Sequence, residues 1–178
     1  MDLIDALYDL CKDVERPIIA IDGPAGAGKT TLATNVQLAL HNKFKSSIIH
    51  MDDLYDGWEN ALTPALSEKL TAIMKSHKSH EAISISKFDW VNSRFLPAEE
   101  IPQADLLIIE GVGSGQSAIR HFLTALFWID IDRNQGLARV LNRDGEAIKN
   151  PMQKWLVAQE QHFALEKTDN AADFVLTT

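Results

Sequence analysis

A single cysteine in 178 residues leaves no partner for an internal disulfide. No apolar run approaches the roughly 18 residues of a membrane-spanning helix, so no membrane partner is expected. Basic residues are scarce, with 17 Lys and Arg against 25 Asp and Glu and a formal net charge of −8. This balance argues against a nucleic-acid backbone as partner, because phosphate contacts need a basic stripe. The small basic cluster, Lys43 and Lys45 around Phe44, reads as a solvated helix end. Internal repeats, low-complexity tracts and Pro/Ser-rich linkers are also missing, which predicts one domain over residues 1–178. The N-terminus, Met1-Asp2-Leu3-Ile4-Asp5, is acidic where a secretory signal would be basic, so a cytoplasmic location is expected. No residue pattern specifies a dimer surface.

What is present is a composition that can build a core, with 46% hydrophobic and 24% charged residues. An apolar series, Leu3, Ile4, Leu7, Leu10, Cys11 and Val14, predicts an N-terminal helix within residues 1–15, with Cys11 packed inside. Pro17-Ile18-Ile19-Ala20-Ile21 then reads as a strand buried on both faces. It runs into Gly23-Pro24-Ala25-Gly26-Ala27-Gly28-Lys29-Thr30, a G-x-x-x-x-G-K-T sequence followed by Thr31 and by Leu32, Val36 and Leu40 at helical spacing. Strand, loop and helix in this order make a phosphate-binding loop. Its glycines let successive N–H groups turn inward around a phosphate. Lys29 adds positive charge beside the β/γ oxygens, and the Thr30 hydroxyl suits Mg²⁺.

Further strands are predicted at Ser47–Ile49, Leu106–Ile109, Leu126–Ile129 and Phe174–Leu176, separated by helical stretches. That alternation predicts an α/β fold, a three-layer sandwich about a central parallel sheet of some five strands. Thr63-Pro64 starts a helix with Leu66, Leu70, Ile73 and Met74 on one face. Asn150-Pro151-Met152-Gln153 starts another, carrying Met152, Trp155, Leu156 and Phe163, with Asn150 and Gln153 spaced as a capping box.

Ligands of open α/β sheets gather beyond the carboxyl ends of the strands. The polar residues placed there are His50-Met51-Asp52-Asp53 after the second strand, Glu110 after the third and Asp130-Ile131-Asp132 after the fourth. Leu106 to Glu110 has the Walker B form, apolar residues delivering a carboxylate that holds Mg²⁺ directly or through water. One of Asp52 and Asp53 is a candidate to accept the proton of an attacking hydroxyl. Arg139 and Arg143, four apart on a helix, share a face that suits neutralising a transferring phosphoryl group, or alternatively a solvated face paired with Asp144 or Glu146.

In order along the chain, five segments resemble the uridine kinase and phosphoribulokinase group of P-loop kinases. They are Ala20 to Thr31, Met51-Asp52-Asp53-Leu54-Tyr55, Phe88-Asp89-Trp90, Ile108-Ile109-Glu110-Gly111, and Leu137-Ala138-Arg139 to Arg143-Asp144. The resemblance implies an ATP- and Mg²⁺-dependent kinase acting on the hydroxyl of a small-molecule acceptor, with a nucleoside first in line. Asp52 then takes the base position, Tyr55, Asp89 and Arg94 face the acceptor, and residues 137–150 form a lid. Without the resemblance, Tyr55 reads as core and Arg94 as surface. The chain departs from the family pattern at Phe88, where the nucleoside kinases carry a tyrosine, at Asn92-Ser93, where they carry a histidine, and after Asp144, where a further lid arginine is missing. These departures leave a sugar or vitamin-precursor acceptor open. A nucleotide-dependent switch or ATPase is the other alternative. Lys167-Thr168-Asp169 lacks the Asn that precedes such a triplet in guanine-specific proteins and looks like a helix end, so ATP is favoured over GTP.

Overall fold

The computed structural model describes residues 3–178, so the acidic Met1 and Asp2 lie outside the described residues. In chain order the elements are α1 (Leu3–Cys11), β1 (Ile18–Asp22), α2 (Lys29–Leu40), β2 (Ser46–His50), α3 (Pro64–Lys78), β3 (Ile83–Ile85), β4 (Phe88–Asp89), β5 (Arg94–Phe95), β6 (Glu99–Ile101), β7 (Leu106–Glu110), β8 (Ala125–Asp130), α4 (Arg133–Asp144), α5 (Lys149–Glu166), α6 (Thr168–Ala171) and β9 (Phe174–Thr177). Five of the strands form one sheet in the order β2-β7-β1-β8-β9, every neighbouring pair parallel. These are the five strands the sequence predicts.

Side-chain alternation explains why the sheet sits between two layers of helices. Ile19 and Ile21 of β1 and Leu106 and Ile108 of β7 pack with Leu7, Cys11, Val36 and Leu40 on the α1/α2 side. Ile18, Leu107 and Ile109 point the other way, into a core with Leu66, Leu70, Met74, Trp155 and Leu156 of α3 and α5. At about 25 cal/mol per Å² of apolar area, this two-sided burial is the main force that holds the strand ends, and the loops beyond them, in place. No helix among the described residues is long and apolar enough to cross a membrane.

The structure corrects three local expectations. First, the N-terminal helix ends at Cys11, leaving Leu10 and Val14 at the surface. Arg16 takes a positive φ of 54° just before Pro17, whose ring disfavours a helical residue in front of it. Second, α5 begins at Lys149 with Ile148 at its N-cap and no side-chain cap bond, so Asn150 and Gln153 lie inside the first turns and form no capping box. The preceding 3-10 turn, Glu146–Ile148, feeds directly into the helix and removes the extended residue that a capping box requires. Third, residues 83–101 contain two antiparallel pairs, β3 with β6 and β4 with β5, that have no counterpart in the predicted elements.

Candidate active site

The loop from Gly23 to Gly28 leaves β1 and enters α2, with Gly28 at the N-cap in the left-handed region at φ 92°. Gly26 is required by packing as well as by its φ of 79°, because a Cβ there would sit 2.3 Å from the Gly136 carbonyl oxygen. Gly136 in turn lies against the loop, with Ala25 O 2.6 Å from where its own Cβ would be. Two backbones thus meet without side chains, and α4 rests on the phosphate loop. Inside the loop, Ala27 N–H donates to Pro24 O at 3.2 Å. The Lys29 ammonium donates to the same carbonyl at 2.8 Å.

Asp22, the last residue of β1, is fully buried. Its carboxylate accepts from Gly23 N (2.7 Å), Gly113 N (3.0 Å) and Gly115 N (2.9 Å), tying the phosphate loop to the chain that follows β7. Burial pushes the Asp22 carboxyl upward, opposed by those amides and by Lys29. Burial lowers Lys29, opposed by the charges of Asp22, Glu110 and Asp52. From the other side, Gln159 of α5 accepts from Ala25 N at 3.1 Å.

Glu110 ends β7 and is almost buried. Thr30 Oγ1 donates to Glu110 Oε1 at 3.0 Å, and His50 Nδ1 donates to the same oxygen at 2.6 Å. The hydrogen bond to Glu110 is the main cause of a raised His50 pKa, with burial opposing it. His50 and Glu110 are register partners on adjacent parallel strands. Beyond Glu110 the chain turns at Gly111, φ 135°, where a Cβ would lie 2.4 Å from Met51 Cβ. That close approach sets the Met51–Asp53 3-10 turn against the end of β7.

Within this turn the two aspartates diverge. Asp53 faces Lys87, with Nζ 3.9 Å from Oδ2. Asp52 is exposed to solvent yet hemmed in by surrounding protein, and this crowding raises its carboxyl above the ordinary value. Lys29 and Arg143 pull it down, while Glu110 and Asp53 push it up. Arg143 and Arg139 share α4, as the sequence predicts. Arg143 forms a two-bond pair with Asp144 at 2.7 and 2.6 Å, the surface pairing that was the alternative reading. Arg139 donates to Gly26 O at 3.3 Å and to Thr178 Oγ1 at 3.2 Å.

Of the three residues expected to face an acceptor, Tyr55 and Asp89 have internal hydrogen-bond partners. Tyr55 is 2% exposed and its hydroxyl donates to Val112 O at 2.7 Å, so it belongs to the core. Asp89 accepts from Val91 N, Asn92 N and Asn92 Nδ2 and closes the turn between β4 and β5, a bonding pattern that holds its carboxyl below the usual range. Arg94, its cross-strand partner, is exposed. The hairpin touches the site through Trp90, whose Nε1 donates to Asp52 O at 3.0 Å. Trp90 packs on Trp58, and Trp58 on Trp155, at ring separations of 5.2 and 6.1 Å. Trp58, Leu62, Trp155 and His162 line a cavity of about 260 Å³. No motif gives a role to Asp22, Gln159, Trp90 or His50. For His50 the available signal was its place at the end of a predicted strand.

No group of three or more His, Cys, Asp or Glu residues suited to a metal ion occurs among the described residues. Mg²⁺ does not require one, since it commonly keeps several waters and takes phosphate oxygens alongside one or two protein ligands. Thr30 Oγ1 and the Glu110 carboxylate, 3.0 Å apart beside the phosphate loop, fit that need.

No family model matches the sequence. A uridine kinase from Mycoplasma genitalium is 26% identical over 185 residues, spanning 92% of this chain and 86% of that protein. Among solved structures, a possible uridine kinase from Bacillus stearothermophilus superposes with a TM-score of 0.68 at 20% identity, covering 97% of this chain and 96% of its own. A protein provisionally assigned as a fructose transport system kinase, from a Silicibacter species, gives 0.67 at 18% identity over the same shares of the two chains. At these identities the two structures establish the fold, and the sequence relative extends the likeness over nearly the whole chain. Taken with the phosphate loop and the carboxylate that ends β7, they establish the fold and support a likeness to the uridine kinase and phosphoribulokinase-like group of P-loop kinases.

Proposed function

We propose that the protein uses ATP and Mg²⁺ to phosphorylate a hydroxyl of a small-molecule acceptor, most simply a nucleoside. The observation that carries this reading is the separation of the paired aspartates. Asp52 shares its electrostatic surroundings with Lys29, Glu110 and Arg143, whereas Asp53 lies 3.9 Å from Lys87, whose ammonium pairs more closely with Glu99 at 2.8 Å. A carboxylate next to the phosphate-binding lysine is where a phosphotransferase needs a proton acceptor.

In this mechanism the amides of Gly23 to Thr31 and the Lys29 ammonium hold the β- and γ-phosphates. Thr30 and Glu110 hold Mg²⁺, which offsets negative charge on the phosphate oxygens. As the acceptor hydroxyl forms its bond to the γ-phosphorus and the bond to the β–γ bridging oxygen breaks, Asp52 takes the hydroxyl proton and ADP departs. The raised Asp52 pKa suits that proton transfer. Arg139 and Arg143 neutralise charge on the phosphoryl group, Arg143 after exchanging its bonds to Asp144 for phosphate oxygens. The segment 137–150 would move as a lid to permit this exchange. The cavity at Trp58, Leu62 and Trp155 takes the non-reacting part of the acceptor, linked to Asp52 through Trp90.

A sugar or vitamin-precursor acceptor is the second reading. It is favoured by the internal hydrogen bonds of Tyr55 and Asp89, two groups that a nucleoside would otherwise engage. The name of the Silicibacter neighbour is compatible with it. The test is ADP formation from Mg-ATP with uridine, cytidine and then a panel of sugars and other alcohols, with Asp52→Asn in parallel. Acceptor-dependent ADP lost by about a hundredfold or more in the variant, with ATP binding retained, is the expected result. Near-normal turnover in Asp52→Asn would reject the base assignment, and ATP hydrolysis indifferent to every acceptor would favour a switch or ATPase.

A further inference from the structure

The two hydrogen bonds that reach Glu110 both arrive at Oε1, from Thr30 Oγ1 at 3.0 Å and from His50 Nδ1 at 2.6 Å. Oε2 takes no hydrogen bond among the described residues. A carboxylate on a glutamate stem has three rotatable bonds, and an anchor on one oxygen fixes where the other one points. Thr30 belongs to the phosphate loop, and its hydroxyl can meet a cation through an oxygen lone pair while its O–H still donates to Glu110, so it gives one of the two anchors. His50 is independent of the phosphate loop. It is delivered by the parallel pairing of β2 with β7, which sets it directly opposite Glu110, and it remains partly open to solvent, so burial does not account for its place there.

We infer that His50 is a positioning residue for the cation site, its Nδ1–H holding the Glu110 carboxylate in the orientation that presents it to Mg²⁺. This rests on the proposed role of Thr30 and Glu110 as the Mg²⁺-binding pair. Partners of this kind, hydrogen-bonded to a metal ligand without touching the metal, commonly account for about 10- to 100-fold in metal affinity. The requirement is for an N–H donor at a fixed place, which separates it from a merely space-filling role. Asparagine branches at the same carbon as histidine and carries an N–H at the position of Nδ1. Leucine has the same branch without a donor.

The experiment measures binding of a fluorescent ATP analogue as Mg²⁺ is titrated, and reads the Mg²⁺ concentration that gives half of the cation-dependent enhancement. Wild type, His50→Leu, His50→Asn and Glu110→Gln are compared, with circular dichroism confirming that each is folded. The expected result is a rise of about 10-fold or more for His50→Leu and for Glu110→Gln, with His50→Asn within about threefold of wild type. A His50→Leu value within about twofold of wild type, beside a large shift for Glu110→Gln, would overturn the inference and leave the cation pair standing. Equal shifts in His50→Leu and His50→Asn would also overturn it, since the donor would then be irrelevant. An unchanged value for Glu110→Gln would remove the cation role of Glu110, and the inference with it.

Discussion

Acid should weaken this fold through one histidine. His77 lies on α3 and is 1% exposed, with its Nε2 unpartnered among the described residues. Burial, reinforced by the nearby positive charges of Arg16 and Lys78, lowers its pKa from 6.5 to about 4, against smaller opposing backbone interactions at Pro17 and Arg16. The fold therefore favours the neutral imidazole and binds fewer protons than the unfolded chain between those two values. Stability from this group is complete above pH 6.5 and is lost as the pH falls toward 4. With these two values, the loss between pH 7 and pH 5 is about 2 kcal/mol, a sizeable part of the 5–15 kcal/mol typical of a domain. The assay is urea unfolding of wild type and His77→Leu at both pH values. His50, with a raised pKa, and His162, with a lowered one, remain in both proteins, so their contributions cancel in the comparison. Wild type should lose about 2 kcal/mol more than the variant on acidification. Parallel losses, within about 0.5 kcal/mol, would refute the reasoning, whatever the variant's absolute stability.

Four other outcomes follow from the same structure. Asp22→Ala should leave three buried N–H groups without their carboxylate, lowering unfolding free energy by about 3 kcal/mol or more and weakening ATP binding; a variant with unchanged urea midpoint and nucleotide affinity would deny that link. Gly136→Ala sets a methyl 2.6 Å from Ala25 O, so α4 and the phosphate loop should separate at a cost of about 1–3 kcal/mol, with weaker nucleotide binding by calorimetry. Cys11 is fully buried, and burial raises its thiol to about 11, so a thiol reagent at pH 8 should label it only after unfolding. Trp58→Ala opens the cavity wall and should raise the KM for the acceptor while leaving the KM for ATP within about twofold; equal effects on both would place the acceptor elsewhere.

The local parts of this design were legible in the amino-acid order. β1, the phosphate loop and α2 occupy consecutive residues, and each is signalled by short-range chemistry: β-branched residues, glycines with positive φ, and apolar positions at helical spacing. The same holds for β7 and Glu110, and for α3 behind Thr63-Pro64. The capping box at Asn150 misled because its pattern is short and the preceding 3-10 turn, set by how α4 meets α5, decides where the helix starts. The strands of the segment 83–101 are only two or three residues long, too brief for a period to show.

A linear chain carries no record of register, and the site depends on register throughout. His50 meets Glu110 across 60 residues because two parallel strands pair in one alignment out of several. Asp22 finds Gly113 and Gly115 more than 90 residues away, and Asp52 and Asp53 take different surroundings, the charges of Lys29 and Arg143 for one and Lys87 at 3.9 Å for the other, only once the 3-10 turn is set against the end of β7. Tyr55 reads as core from the residues alone, but the partner that satisfies its buried hydroxyl, Val112 O, comes only with the packing of distant segments. Residue order was enough for the fold class and the phosphate loop, since propensity and hydrophobic period act over a few residues. The partners of each carboxylate were decided only when burial of the two faces of the sheet brought distant segments into contact.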